Sequence, residues 1–210
     1  MAGTGAIGIS AKLALCRNTE SHSPDVNDQG NQTMTAKSKG FLRHVALSVT
    51  DPWETAEYYK ATVGLEEVAE LDGPLAEGVF LTDGVVNLAI LHFKDEEAAQ
   101  GKGVDFVGIH HIGFWVDDII MSGKQARSAG GTWIMGDPTN PDGYEVKHTD
   151  LSGIIFDIAA HGWAGAQKRP GEAENETHPN PRRRLAKFDE RREAARRKIE
   201  ANQNQMAEAD

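Results

Sequence analysis

Cysteine is nearly absent. Cys16 is the only one in 210 residues, which excludes an intrachain disulfide framework and fits a reducing, cytoplasmic compartment. Long hydrophobic runs are missing too: no stretch approaches the roughly 18 apolar residues of a membrane-spanning helix. The N-terminus lacks the basic start and small-residue cleavage site of a signal peptide, and Lys12 interrupts its one mildly apolar patch, AIGISAKLALC, so export is not expected. Positive charge is scarce outside the C-terminal end. Residues 167–210 hold 11 Lys/Arg and 9 Asp/Glu, leaving 11 basic and 23 acidic residues on the rest, a net −12. A body of that sign repels phosphate backbones, which argues against nucleic acid as a partner. The glycine pair at 130 and 131 lacks the surrounding pattern of a phosphate loop.

What is present divides into three zones. Residues 1–39 are rich in Ser, Thr, Asn, Gly and Asp; they cannot bury enough surface to offset ordering entropy and are predicted to be disordered. Met34 heads TAKSKGFLRHVALSV and makes a natural start, so the first 33 residues read either as an appendage or as sequence upstream of the true start. Residues 40–166 carry short alternating or apolar runs broken by Gly, Asp and Pro, the texture of a compact α+β domain. Residues 167–210 read as a charged linker and a helical tail. In the tail, RRRLAKFDERREAARRKIEANQNQM has Glu/Arg spacings that support an exposed helix. Its apolar positions are only Leu185, Phe188, Ala195 and Ile199, so a solvated helix is expected, with packing on a partner subunit as the alternative.

The central zone repeats itself. HVALSVTD begins at His44 and HIGFWVDD at His111, an offset of 67 that also carries Asp51 to Asp118 and Gly64 to Gly131. Each copy opens with a histidine on an alternating strand. Each then meets an Asp suited to capping a helix (DPWETAEYYKATVG, DDIIMSGKQARSAGG) that runs to glycine. Strands follow: LEEVAEL, GVFLTD and VVNLAILHF in the first copy, TWIM, YEVKHTD and GIIFDIAA in the second. The pattern is two tandem βαβββ modules, about residues 41–95 and 108–163. One such sheet leaves a face uncovered; two side by side can curl around a shared cleft.

A duplicated βαβββ unit with leading histidine strands resembles the vicinal oxygen chelate superfamily, which holds glyoxalase I, methylmalonyl-CoA epimerase, extradiol dioxygenases and antibiotic-resistance binding proteins. NLAILHF followed by GIHHIGFWVDDI is most similar to the glyoxalase- and epimerase-like members. The resemblance implies one metal ligand from the first and one from the last strand of each module. Carried onto this chain, these are His44, His111 and Asp157, with Ala89 at the fourth position, where glyoxalases and epimerases place Glu or Gln. The residues support the three: Asp157 interrupts the apolar strand around it, and a carboxylate there is costly unless paired, protonated or bound to a cation. The alternative is a salt-bridged Asp157 and two satisfied core histidines. Two histidines and one carboxylate suit Fe(II), and Zn, Mn, Ni or Co as well.

Strand alternation turns His110 away from His111, as a structural or supporting residue rather than a ligand. It also turns His92 from the position of Ala89; His92 becomes a substrate-binding group only with a kinked strand. Tyr144 and His148 are candidate catalytic groups on the cleft, and Trp115, two residues from His111, a candidate apolar wall for substrate. Glu54, Tyr58 and Tyr59 read as surface and packing residues. The resemblance implies a metal-dependent lyase or isomerase whose small substrate offers two adjacent oxygens. An extradiol-type Fe(II) dioxygenase and a non-catalytic binding or resistance protein are the alternatives, and a homodimer is expected.

Overall fold

The computed structural model describes residues 37–141, 144–167 and 184–207, all within a compact unit spanning Ala36–Asp210. The extension read as disordered lies outside the described residues except for 37–39, and so does most of the charged linker.

The first module runs β1 (Gly40–Ser48), α1 (Pro52–Val63), β2 (Glu66–Asp72), β3 (Ala76–Thr82) and β4 (Asn87–Phe93). The second runs β5 (Gly108–Val116), α2 (Ile119–Ser128), β6 (Thr132–Met135), β7 (Val146–Thr149) and β8 (Ile155–Ala159). Both are βαβββ units, as the repeat predicts. Asp51 accepts from the N–H groups of Trp53 and Glu54 at 3.0 Å, and Asp118 from Met121 at 2.8 Å, so each caps the start of its helix by satisfying orphan donors. Gly64, at φ 71°, supplies the left-handed residue that ends α1.

The eight strands form one sheet in the order β2-β3-β4-β1-β5-β8-β7-β6. The modules meet at β1 and β5, which pair antiparallel, while β1–β4 and β5–β8 are parallel. The two leading histidine strands are therefore neighbours at the centre. Alternation then sorts the apolar residues. Val79, Leu81 and Ile90 pack under Trp53 and Ala56 of α1, and Val146 and Ile158 under Ile119 of α2. Ala46, Ala89, Leu91 and Phe93 point to the other face, which is the inside of the cleft.

The tail departs from expectation. After a 3₁₀ turn (Ala186–Phe188), helix α3 (Asp189–Ala207) lies along α1 of its own chain rather than in solvent. Phe188 packs on Trp53 with ring centroids 4.3 Å apart, and the Arg191 guanidinium stands 3.8 Å from the Trp53 ring centre. Arg192 is buried against Glu70, whose carboxylate also accepts from Trp53 Nε1 at 3.0 Å and from the Leu185 N–H at 2.5 Å. Lys198 reaches Glu54 at 2.6 Å. Arginine stems and paired charges bury this helix, so counting its apolar positions underestimates its docking. Among the described residues no helix is long and apolar enough to cross a membrane.

One consequence is a pH dependence. Lys187, just before α3, and then Lys94 hold the Asp72 carboxyl down at about 2. A carboxyl lower in the folded state than its ordinary 3.8 stabilises fully above pH 4, and its contribution is lost as pH falls from about 4 to 2. Docking of the Lys187 segment on β2 should loosen over that window, seen as faster amide exchange or proteolysis at residues 184–190 before the sheet unfolds. Because the pair is exposed, added salt should blunt the effect.

Candidate metal centre

His44 lies on β1, His111 on β5 and Asp157 on β8, and all three are buried. They converge: one ligand atom from each lies within 4.8 Å of the others. His44 Nε2 and His111 Nε2 are 3.2 Å apart, and His111 Nε2 is 3.3 Å from Asp157 Oδ2. The strand register explains the asymmetry between modules. Asp157 pairs with Gly113 and Ala89 with Ala46, positions equivalent by the repeat, so Ala89 stands where a fourth ligand would come from. It is fully buried among Ala46, Leu91 and Phe93 and offers no donor.

Two residues fix the imidazoles: Asn87, which the sequence did not single out, and His110, read there as a supporting residue rather than a ligand. The Asn87 side-chain Nδ2 donates to the Ala164 carbonyl at 2.7 Å, which turns its Oδ1 toward His44 Nδ1, 2.7 Å away. His44 Nδ1 therefore carries the proton. His110 Nε2 donates to the Ala99 carbonyl at 3.0 Å, leaving His110 Nδ1 as an acceptor for His111 Nδ1–H at 2.8 Å. Burial pushes His110 down to about 4, against the hydrogen bond to Ala99, and holds His111 well below its ordinary value, helped by Lys147 and the neighbouring imidazoles. Both rings thus present unprotonated Nε2 atoms to the same point, beside a carboxylate whose Oδ1 has no hydrogen-bond partner. Two lone pairs 3.2 Å apart repel unless a cation lies among them. The donor set fits a divalent transition metal: two imidazole nitrogens 3.2 Å apart and a carboxylate oxygen 3.3 Å from one of them are the ligand types such an ion takes, and hydrogen bonds behind ligating histidines are the usual support.

The face of His110 differs from expectation. Ala46 pairs with His111 and Leu47 with Ile109, so β5 carries an extra residue there. A bulge breaks the alternation and re-aims His110 into the cleft beside His111.

The same register locates the groups around the centre. Lys147 pairs with Asp157 across β7–β8, shares its face, and places Nζ 2.5 Å from Asp157 Oδ2 and 3.5 Å from Glu145 Oε2. Burial pushes the Asp157 carboxyl up to about 7 despite Lys147, and Glu145 adds to the rise. Burial also pulls the Lys147 ammonium down, but Asp157 and Glu145 together hold it above its ordinary value. The salt-bridged alternative for Asp157 is thus realised alongside the histidine convergence.

His148, expected on the cleft, pairs with Phe156 and faces α2 instead, stacked on that ring and 3.4 Å from Arg127 Nη1. With Asp157 turned inward, its neighbours' partners must turn outward. His92 Nδ1 donates to the Val49 carbonyl at 3.3 Å, and the residue is not on the cavity wall. Trp115 is also absent from that wall; its indole donates to the Ala160 carbonyl at 2.9 Å. The aromatic wall is Trp163, from the turn after β8, stacked on His44 with centroids 4.8 Å apart and planes 11° apart. Gly113 makes this possible, since a Cβ there would come within 2.8 Å of both His44 and the Trp163 ring. Tyr144 does line the cavity, with Glu145, whose Oε1 accepts from Trp163 Nε1 at 2.7 Å.

The cavity beside the centre encloses about 300 Å³, walled mainly by Leu71, Leu75, Phe80, Leu91 and Phe93, with His44, His110, His111, Tyr144, Glu145 and Lys147 at its polar end. Gln100, in the left-handed region at φ 54°, lines it too, and its Oε1 has no hydrogen-bond partner.

Residues 41–158 match the family model of the Glyoxalase/Bleomycin resistance protein/Dioxygenase superfamily. Among solved structures, a hypothetical protein of Bacillus halodurans is 20% identical over 65% of this chain and 99% of its own, with a TM-score of 0.50. A Streptomyces coelicolor methylmalonyl-CoA epimerase variant, in complex with 2-nitronate-propionyl-CoA, is 21% identical over 56% of this chain and 94% of its own, at a TM-score of 0.48. The Mycobacterium tuberculosis methylmalonyl-CoA epimerase gives 19%, 60%, 89% and 0.47 in the same terms. At these identities the likeness is one of fold alone. No curated protein matches the sequence.

Proposed function

Because this chain belongs to the glyoxalase/bleomycin resistance protein/dioxygenase superfamily, we propose that it is a divalent-metal-dependent lyase or isomerase acting on a small substrate with two adjacent oxygens. The observation that carries the reading is the pair of imidazoles whose protons are directed outward, by Asn87 and by His110, so that both Nε2 atoms face Asp157. His44, His111 and Asp157 would hold the metal, whether Zn, Mn, Fe, Ni or Co. When bound, such an ion is a Lewis acid that stabilises negative charge developing on substrate oxygens.

The chain's own groups supply the rest. Glu145, oriented by Trp163 Nε1 on the cavity wall, is the carboxylate placed to accept a proton from a carbon next to the substrate carbonyl. Burial, then Glu145 and Asp157, keep the Tyr144 phenol well above its ordinary value, so it acts as a neutral hydrogen-bond donor. The apolar walls take the substrate's hydrocarbon part and exclude water.

A second reading rests on Ala89. With no fourth protein ligand, the site has the two-histidine, one-carboxylate composition of Fe(II) oxygenases. One experiment separates the two. Metal-loaded protein in D₂O is expected to exchange the C2 proton of 2-hydroxyacyl compounds or the C3 protons of 2-oxoacyl compounds by NMR, without oxygen uptake. Oxygen uptake with catechols under Fe(II), and no exchange, would overturn the lyase/isomerase reading in favour of the oxygenase.

The supporting residues give a further prediction. Asn87→Ala frees the His44 ring and its tautomer, and should weaken Mn²⁺ binding by about 10- to 100-fold with little loss of fold. Titration calorimetry on chelator-stripped protein measures it.

A further inference from the structure

The candidate centre already contains a cation. Lys147 Nζ sits 2.5 Å from Asp157 Oδ2, the same oxygen that lies 3.3 Å from His111 Nε2. The ammonium thus holds the carboxylate atom that faces the imidazoles, while Oδ1 has no partner. A buried carboxylate oxygen shared by an ammonium and a divalent ion would bring two positive charges together in a poorly screened place, and that arrangement is disfavoured. Lys147 also has somewhere to go. Glu145 Oε2 is 3.5 Å from Nζ on the cavity side, and a lysine stem has the rotors to follow it.

We propose that Lys147 is an exchangeable internal cation: it competes with the metal for Asp157 and, when released, turns to Glu145 and the cavity to anchor an anionic group of the substrate. The proposal rests on the metal-centre reading above and adds the substrate's charge. Among the described residues on the cavity wall, Lys147 is the sole Lys or Arg. Glu70 on that wall is neutralised by Arg192, so with Asp157 ionised, as a metal ligand must be, Asp157, Glu145 and Lys147 set the local charge at −1. A divalent ion makes it +1, which a monoanion such as a carboxylate complements. Metal and carboxylate then bind in order, each favouring the other.

The test is Mn²⁺ and Zn²⁺ titration of chelator-stripped full-length protein, comparing wild type with Lys147→Met. The variant is expected to bind metal at least about tenfold tighter, because the resident competitor is gone; a residue that merely supported the fold would weaken binding when removed. Equal or weaker binding by a folded variant, with wild type still binding, overturns this proposal and leaves the metal centre standing. Binding by neither overturns both. Should Lys147→Met not fold, wild type alone decides: the slowly exchanging ammonium resonance of Lys147 is expected to shift on adding Zn²⁺, and an unmoved resonance at saturating Zn²⁺ overturns the exchange. For the anchoring role, acetate is the probe. It should bind Zn²⁺-loaded wild type at least about tenfold tighter than Zn²⁺-loaded Lys147→Met, and equal affinities would overturn it.

Discussion

Protein carrying His111→Ala is expected to retain no stoichiometric transition metal after purification without chelator, whereas wild type retains close to one ion per chain. The loss should be at least about a hundredfold in affinity, because hydrogen-bonded residues behind a ligand already reach that size and a ligand itself exceeds them. The variant removes more than one donor. His111 is the hinge between the imidazole of His44, 3.2 Å away, and the Asp157 carboxylate at 3.3 Å. Without it, Asp157 keeps only Lys147, and the centre reduces to an ordinary buried ion pair. Elemental analysis and titration with Mn²⁺ measure the effect. Retention of stoichiometric metal in His111→Ala would remove the centre as assigned, and with it the enzyme reading. The fold should tolerate the change, since alanine on a central strand leaves the β1–β5 pairing intact.

The largest effect on stability is expected far from that centre, at Arg192. Both Arg192 and Glu70 are buried, and Glu70 collects the Arg192 guanidinium, the Trp53 indole and the Leu185 N–H. Replacing Arg192 by alanine leaves a buried carboxylate without its charge partner, a change that typically destabilises by about 3–5 kcal/mol. In a domain of this size that lowers the melting temperature by on the order of 10 °C. Glu70→Gln, which removes the charge and leaves one carbonyl oxygen where Trp53 and Leu185 each use a separate carboxylate oxygen, should also lose stability, because Arg192 then keeps only the exposed Asp189 as a counter-charge. The double variant Glu70→Leu/Arg192→Leu should recover much of the loss. Thermal unfolding of the four proteins forms a double-mutant cycle, and a near-zero coupling term would mean that the Arg192–Glu70 pair does not hold α3, leaving its docking to Phe188, Arg191 and the exposed ion pairs.

The duplicated architecture was legible because it is written in local signals: histidine-led alternation, capping aspartates and strand lengths, all repeated at a fixed offset. The candidate centre was partly legible for the same reason. His44 and His111 are equivalent by the repeat, and Asp157 announces itself as a charge in an apolar strand. What remained hidden depends on register. Nothing in YEVKHTD says which residue lies opposite Asp157, and one step of slippage exchanges Lys147 for His148 on the cleft face. The bulge that turns His110 inward, the stack of Trp163 on His44 across the space left by Gly113, and the Asn87 amide behind His44 are likewise contacts between distant segments. The tail was misjudged for a different reason. Its helix is buried by arginines, whose partners Glu70 and Trp53 lie over a hundred positions earlier in the chain.

The pairing of β1 with β5 at the middle of the sheet has a kinetic consequence. Fraying starts at sheet edges, here β2 and β6, and reaches the central pair last. His44 and His111 ride on that pair, so parting the two imidazoles requires breaking the ladder that joins the halves of the molecule. An ion held between them would leave slowly unless a side chain nearer the rim, on β7, takes over the carboxylate first. Exchange inertness at this centre would then be governed by the chain's slowest opening rather than by the strength of any single coordination bond.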